Sequence, residues 1–181
     1  MKNLQHLFII CVIALASCDS PSNKPAGETT EATAANNQLA SVWNYIEDED
    51  KMTNEKHHYA TASSTNELEF NFPYAGGSTF ELGILNRGQG NNVKLAVSKG
   101  QFMPSIMNDK TVRVKFDDDK PVNYTYVMPS DGSSDVIFIN NENKFIARLK
   151  AAKKLMIEAE FFQEGNQIIY FDVSGLAWEH K

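Results

Sequence analysis

Cysteine is nearly absent: Cys11 and Cys18 are the two in 181 residues. Both lie near the start, so the rest of the chain has no disulfide framework and no cysteine metal site. Histidine is almost as sparse. After His6 there are only His57, His58 and His180. His57 and His58 are neighbours, so on an extended segment they point to opposite faces and make a poor metal pair. His180 sits at the end of the chain, where the sequence predicts a frayed, solvated residue. Ser-His-Asp and Cys-His mechanisms therefore have little to work with. A long hydrophobic run is missing too. The longest, Leu7 to Ala16, is ten residues, where a spanning helix needs roughly 18 or more. Positive charge is in deficit: Lys and Arg total 17 against 23 Asp and Glu, for a net charge of −6 and a pI near 5.2. No basic stripe interleaves with aromatics, so nucleic acid is not an expected partner. The sequence shows no internal repeat beyond a rhythm of hairpins, and it implies no cofactor.

What is present begins with the apolar run. Met1 and Lys2 give a short basic start, and Leu15-Ala16-Ser17-Cys18 close the run before the chain turns polar. This resembles the signal peptide and lipobox of bacterial lipoproteins. The resemblance implies cleavage before Cys18 and lipid on its thiol, the nucleophile that takes the diacylglycerol. Each buried methylene contributes about 0.8 kcal/mol, and two or more acyl chains hold stably. Asp19 resembles a signal for retention at the inner membrane, a rule that depends on the organism, so inner and outer membrane both stay open. From Asp19 to about Ala40 the chain is rich in Ser, Pro, Asn, Thr, Ala and Glu, with one leucine and no aromatic. Such composition cannot bury enough apolar area to fold. It reads as a flexible tether of about 20 residues reaching roughly 25 Å. The expected division is residues 1–17 as signal peptide, 18–40 as lipidated cysteine and tether, and 41–181 as one β-rich domain, large enough to bury a core.

Within that domain apolar and polar residues alternate. Strands are expected around Trp43 and Tyr45, His58 to Ala62, Leu68-Phe70-Phe72, Phe80-Leu82-Ile84 and Val93-Leu95-Val97. Further strands follow at Val112-Val114-Phe116, Val122 to Met128, Val136 to Ile139, Leu155 to Phe161 and Ile169-Phe171-Val173. One helix is expected, over about Glu142 to Ala152, with Phe145, Ile146, Leu149 and Ala152 on one face and Asn141 as N-cap. At least four strand pairs are joined by short turns. The fold class is therefore mainly β: an antiparallel β-sandwich or barrel-like meander with one α-helix near the C-terminal end.

A further set of motifs is spread through the domain. Ser64-Thr65-Asn66, Phe70-Asn71-Phe72-Pro73-Tyr74-Ala75-Gly76-Gly77, Gly100-Gln101-Phe102, Lys115-Phe116-Asp117-Asp118 and Phe171-Asp172-Val173-Ser174-Gly175-Leu176 follow in that order. The order resembles a family of bacterial envelope proteins and lipoproteins that brings no known activity with it, and it covers about Trp43 to Trp178. The closing Phe-Asp-x-Ser-Gly-Leu is also similar to a type VI secretion accessory protein. Two departures stand out. Relatives often carry a cysteine pair where this chain has about Pro104 and Lys110, and an arginine where it has Leu85, so a polar site built there is not expected in this chain.

The candidate binding residues are Tyr74, Gln101, Phe102 and Asp117. Tyr74 lies beside two glycines, and aromatics in loops on a rigid sheet are typical recognition residues. They also serve to plug the ends of a core. Asp117-Asp118-Asp119 has oxygens for a hard cation such as calcium but lacks the spacing of an EF-hand loop, and it equally suits a hairpin turn. Ser130 to Asp135 reads as a polar loop. Glu158 and Glu160 share the wet face of one strand, with no reason for one pKa to rise as a glycosidase pair requires. Lys144, Arg148, Lys150, Lys153 and Lys154 read as the solvated side of the helix region. Two functions follow as expectations. The first is a lipid-anchored, non-catalytic binding or accessory module that contacts another envelope protein. The alternative is a small-ligand or glycan carrier, or a metal-assisted hydrolase of the envelope, using Asp117, Asp172 or the Asp117–Asp119 turn.

Overall fold

The structure is a computed structural model that describes residues 42–103 and 110–181. The signal pattern, Cys18, the tether and Pro104 lie outside them. The chain divides at Asn37/Gln38, and every described residue belongs to the second unit.

Nine strands form one antiparallel sheet: β1 (Asn44–Glu49), β2 (Lys56–Ser63), β3 (Phe80–Asn86), β4 (Asn91–Val97), β5 (Thr111–Phe116), β6 (Val122–Val127), β7 (Val136–Ile139), β8 (Lys154–Phe161) and β9 (Gly165–Asp172). A single helix among the described residues, α1 (Glu142–Ala151), joins β7 to β8. The order across the sheet is β1-β2-β3-β4-β7-β6-β5-β8-β9. The expected mainly β, antiparallel class with one late helix is thus observed. The barrel-like alternative is not, since the sheet does not close. Instead its two halves fold over one core. Leu82, Ile84, Val93 and Leu95 from one half and Val114, Ile157, Ile169 and Phe171 from the other belong to one buried cluster. Period-2 alternation puts these residues on one face of each strand, and burial of that face fixes the register. Phe145, Ile146 and Leu149 seat α1 on the same core. The Phe145 ring meets those of Phe116 and Tyr124 edge-on at 5.3 and 5.1 Å.

One local expectation is corrected. Leu68, Phe70 and Phe72 do not form a strand with one apolar face. Only an isolated bridge, Leu68 to Ser78, is present there. Phe70 is buried among the rings of the core, while Phe72 is 88 % exposed. The chain turns through a cis Phe72–Pro73 bond and an Asn71–Tyr74 backbone hydrogen bond of 2.8 Å. The segment's backbone groups are instead satisfied by β9 and its hairpin. Thr65 N donates to Tyr170 O at 2.7 Å. The Asn66 side chain accepts from Tyr170 N at 2.9 Å and donates to Ile168 O at 3.0 Å. Asn71 N donates to the Glu164 carboxylate at 2.7 Å. The middle of the outer edge of β9 is therefore capped by side chain and loop. The outer edge of β1 has no strand partner among the described residues. The expected N-cap, Asn141, is observed. It sits at the N-cap in the left-handed conformation (φ 63°) and makes no side-chain cap bond. Asn is chosen there for its tolerance of positive φ rather than for its oxygen.

Candidate functional site: two surface clefts

Three loops converge at one surface. Gly76 and Gly77 (φ +90° and +76°) let the chain double back after Tyr74, and Lys99 Nζ donates to Gly76 O at 2.7 Å. Phe102 N donates to Ser134 O at 2.7 Å, drawing the 129–135 loop against Gln101. The result is a shallow cleft of about 530 Å³ lined by Tyr74, Lys99, Gln101 and Ser133 to Asp135 among others. Gly100 is required beneath it. Its φ is +134°, and a Cβ there would lie 2.7 Å from the Phe70 ring. Two of the four candidate binding residues, Tyr74 and Gln101, thus share one site. Tyr74 is partly buried and rests on the core. Phe102 does not join them. It is 1 % exposed, with its ring 4.8 Å from that of Phe161, so of its two expected roles it fills that of a plug at the end of the core. At the cleft's margin, the Asp131 carboxylate accepts from Ser133 N at 2.9 Å. That bond and the Ser133 hydroxyl hold its pKa below the ordinary carboxylate value.

Asp117 lies elsewhere, at the β5–β6 turn with φ 45°. Its Oδ1 accepts from Lys154 N at 2.8 Å and Lys153 N at 3.0 Å. Those two backbone donors, with the neighbouring ammonium groups, lower its pKa. The carboxylate therefore ties the turn to the start of β8. The Asp117–Asp119 run is further divided because Asp119 pairs with Arg148 at 2.7 Å. Among the described residues, no group of three or more His, Cys, Asp or Glu is placed to hold a metal ion.

Asp117 does line a second, larger hollow of about 790 Å³ with Thr65, Asp118, Lys153, Lys154, Met156, Tyr170 and Asp172. It lies on the outward face of β8 and β9, where Met156 faces Tyr170 and Lys154 faces Asp172 across the strand pair. Asp172 accepts from the Ser174 hydroxyl at 2.6 Å and from Ser174 N at 2.9 Å, and these bonds lower its pKa. No reading of the sequence singled out Tyr170 as a site residue. The signal was available: Ile168 and Tyr170 are apolar or aromatic at the wet positions of a strand whose dry positions are Ile169 and Phe171.

Comparison with known proteins adds little. No family model matches the chain, and no curated protein matches it. Among solved structures, invasion associated protein B from Bartonella henselae is similar at 16% identity, covering 75% of this chain and 86% of that chain, with a TM-score of 0.45. At that score the likeness contributes nothing to the functional reading.

Three of the remaining charged candidates have local partners. Glu158 pairs with Arg113. Arg148 lies 4.3 Å from the centroid of the Phe116 ring, and Lys150 is 3.5 Å from Glu179. His180 is exposed, as expected, but it is not frayed. Its ring stacks on His58 at 3.7 Å with an interplanar angle of 11° and meets Trp178 edge-on. The tail is held by Asn86 Nδ2 donating to Lys181 O at 2.9 Å and Asn91 Nδ2 donating to His180 O at 3.1 Å. Partial burial and the adjacent His58 push the His180 pKa down.

Proposed function

We propose that the chain is a lipid-anchored bacterial envelope protein whose β domain is a binding or accessory module for another envelope protein. The membrane half of this reading rests on the Leu15–Cys18 pattern and the polar tether after it. The binding half rests on one observation: the cleft that draws Tyr74 and Gln101 together from separate loops, with the Lys99 ammonium beside them. A partly exposed aromatic in a fixed loop gives contact area at low conformational cost, and neighbouring polar groups set orientation. Cys18 supplies the lipid, the tether supplies reach, and the sheet supplies rigidity.

Photo-cross-linking of the full chain in intact cells tests this, with a cross-linker placed at Ser133. The expected result is one dominant envelope protein captured, lost in Tyr74→Ala and kept in Tyr170→Ala. Capture that is indifferent to Tyr74, or a Cys18→Ser chain that still fractionates fully with membranes, would refute the corresponding half.

A further inference from the structure

We infer that the hollow on the outward face of β8 and β9 is a saccharide-binding cleft for a neutral or N-acetylated sugar chain. The inference goes beyond the protein-binding role of the Tyr74 cleft and concerns a different face. Three features carry it. The first is Tyr170, a ring left 43 % exposed on the outward face of the edge strand β9. Its backbone is held by Thr65 N and Asn66 Oδ1, and Asn66 Nδ2 holds the carbonyl of Ile168 two residues before it, so the ring is presented from a rigid mount. Met156 lies beside it on the neighbouring strand and extends the apolar floor.

The second feature is the rim. Lys153 and Lys154 make no ion pair among the described residues, so their ammonium groups are unused donors. Carboxylates of Asp117, Asp118 and Asp172 stand among them. Two positive groups against three negative ones leave one net negative charge. Such a rim offers no net positive charge to a phosphate or sulfate and supplies both donors and acceptors. A sugar matches this pattern. Each hydroxyl both donates and accepts, and the C–H face of the ring lies on an aromatic surface. The third feature is continuity. A smaller hollow of about 160 Å³, lined by Arg113, Lys115, Pro121, Glu158 and Ile168, adjoins the first and shares Met156 with it; Arg113 and Lys115 against Glu158 balance the net negative charge of the first, so the two together are neutral. Two linked hollows along one face suit an oligomer rather than a single ring.

The test is fluorescence polarisation of fluorescein-labelled N,N′,N″-triacetylchitotriose against the full chain, in a detergent without a sugar headgroup. Unlabelled cellotriose and heparin hexasaccharide serve as competitors. Saturable binding is expected with a Kd of roughly 0.1–1 mM, the range of an open, partly polar site. Tyr170→Ala should weaken it at least about tenfold, and Tyr170→Phe, which keeps the ring, should stay within about threefold. Tyr74→Ala should leave it unchanged, which separates this site from the proposed protein-binding cleft. Melting curves confirm that each variant is folded. The inference is overturned by no saturable binding of chitotriose by the folded chain, by equal binding in Tyr170→Ala, or by displacement with heparin but not with cellotriose.

Discussion

Phe70 and Phe72 are two residues apart, and simple alternation gives them the same fate. The structure gives them opposite fates, and paired truncations measure which is right. Phe70 is 4 % exposed, its ring lies 5.1 Å from that of Phe161, and it roofs Gly100. Phe70→Ala removes a full aromatic from a packed site whose neighbours are held by strands and cannot collapse inward. The cost for such a change is about 3–5 kcal/mol. That is a large share of the roughly 5–15 kcal/mol that holds an ordinary domain together. For a domain of this size it corresponds to a melting temperature lowered by roughly 10–20 °C. Phe72 is 88 % exposed, so Phe72→Ala should stay within about 0.5 kcal/mol, a shift of at most about 2 °C. The assay is thermal and urea unfolding of the full chain followed by far-UV circular dichroism. Comparable losses for the two variants, or a loss above about 1.5 kcal/mol for Phe72→Ala, would mean that both rings share a buried face and that the turn at Tyr74 is misplaced.

Three further outcomes are expected. Gly100→Ala should be far more destabilising than Gly132→Ala. Both have positive φ, but only the first places a Cβ against a fixed ring, with nothing within 4 Å of the second, and urea midpoints compare them. Asp117→Ala should lower the melting temperature measurably while Asp117→Asn largely preserves it, because Asn keeps an acceptor for the N–H groups of Lys153 and Lys154 and tolerates φ 45°; equal losses would refute the tie. Stability should also fall in two stages on acidification. The folded state disfavours protonated His180, so the unfolded state binds more protons and stability drops as pH falls through the ordinary histidine value of 6.5. The lowered Asp117, Asp131 and Asp172 contribute stability above the ordinary value of 3.8 that is lost as pH falls below it. His180→Asn should flatten the first stage alone, as read from urea midpoints between about pH 8 and pH 3.

Most of the sheet was legible because each strand carries its own record. Val112-Val114-Phe116 against Arg113 and Lys115 states which face is dry without reference to any other element. The helix was legible for the same reason, from the spacing of Phe145, Ile146 and Leu149. Legibility failed where a residue's role depends on a distant partner. Phe70 is buried because Phe161 is there, and Phe72 is exposed because the chain reverses at Pro73. Asn66 looks like a loop residue until the edge of β9 lies beside it. His180 seemed loose because nothing local holds it; Asn86, Asn91 and His58 do. The sites follow the same rule. Tyr74 and Gln101 were legible as loop residues, and their convergence was not, because it is made by the hydrogen bond from Phe102 to the 129–135 loop. Tyr170 is not legible from the dry face of its strand, because it stands on the opposite face.

The Asn66 amide has a consequence for crowded surfaces. An open sheet ordinarily has two ends at which a second copy can add, and two ends allow growth without limit. Here the Asn66 side chain occupies the middle of one end as a peptide group would, so that β1 is the end left without a strand partner among the described residues. Any pairing of copies through their sheets must then join like to like about a two-fold axis, and it stops at two. Copies gathered at high density would be spared polymerisation by one side-chain amide.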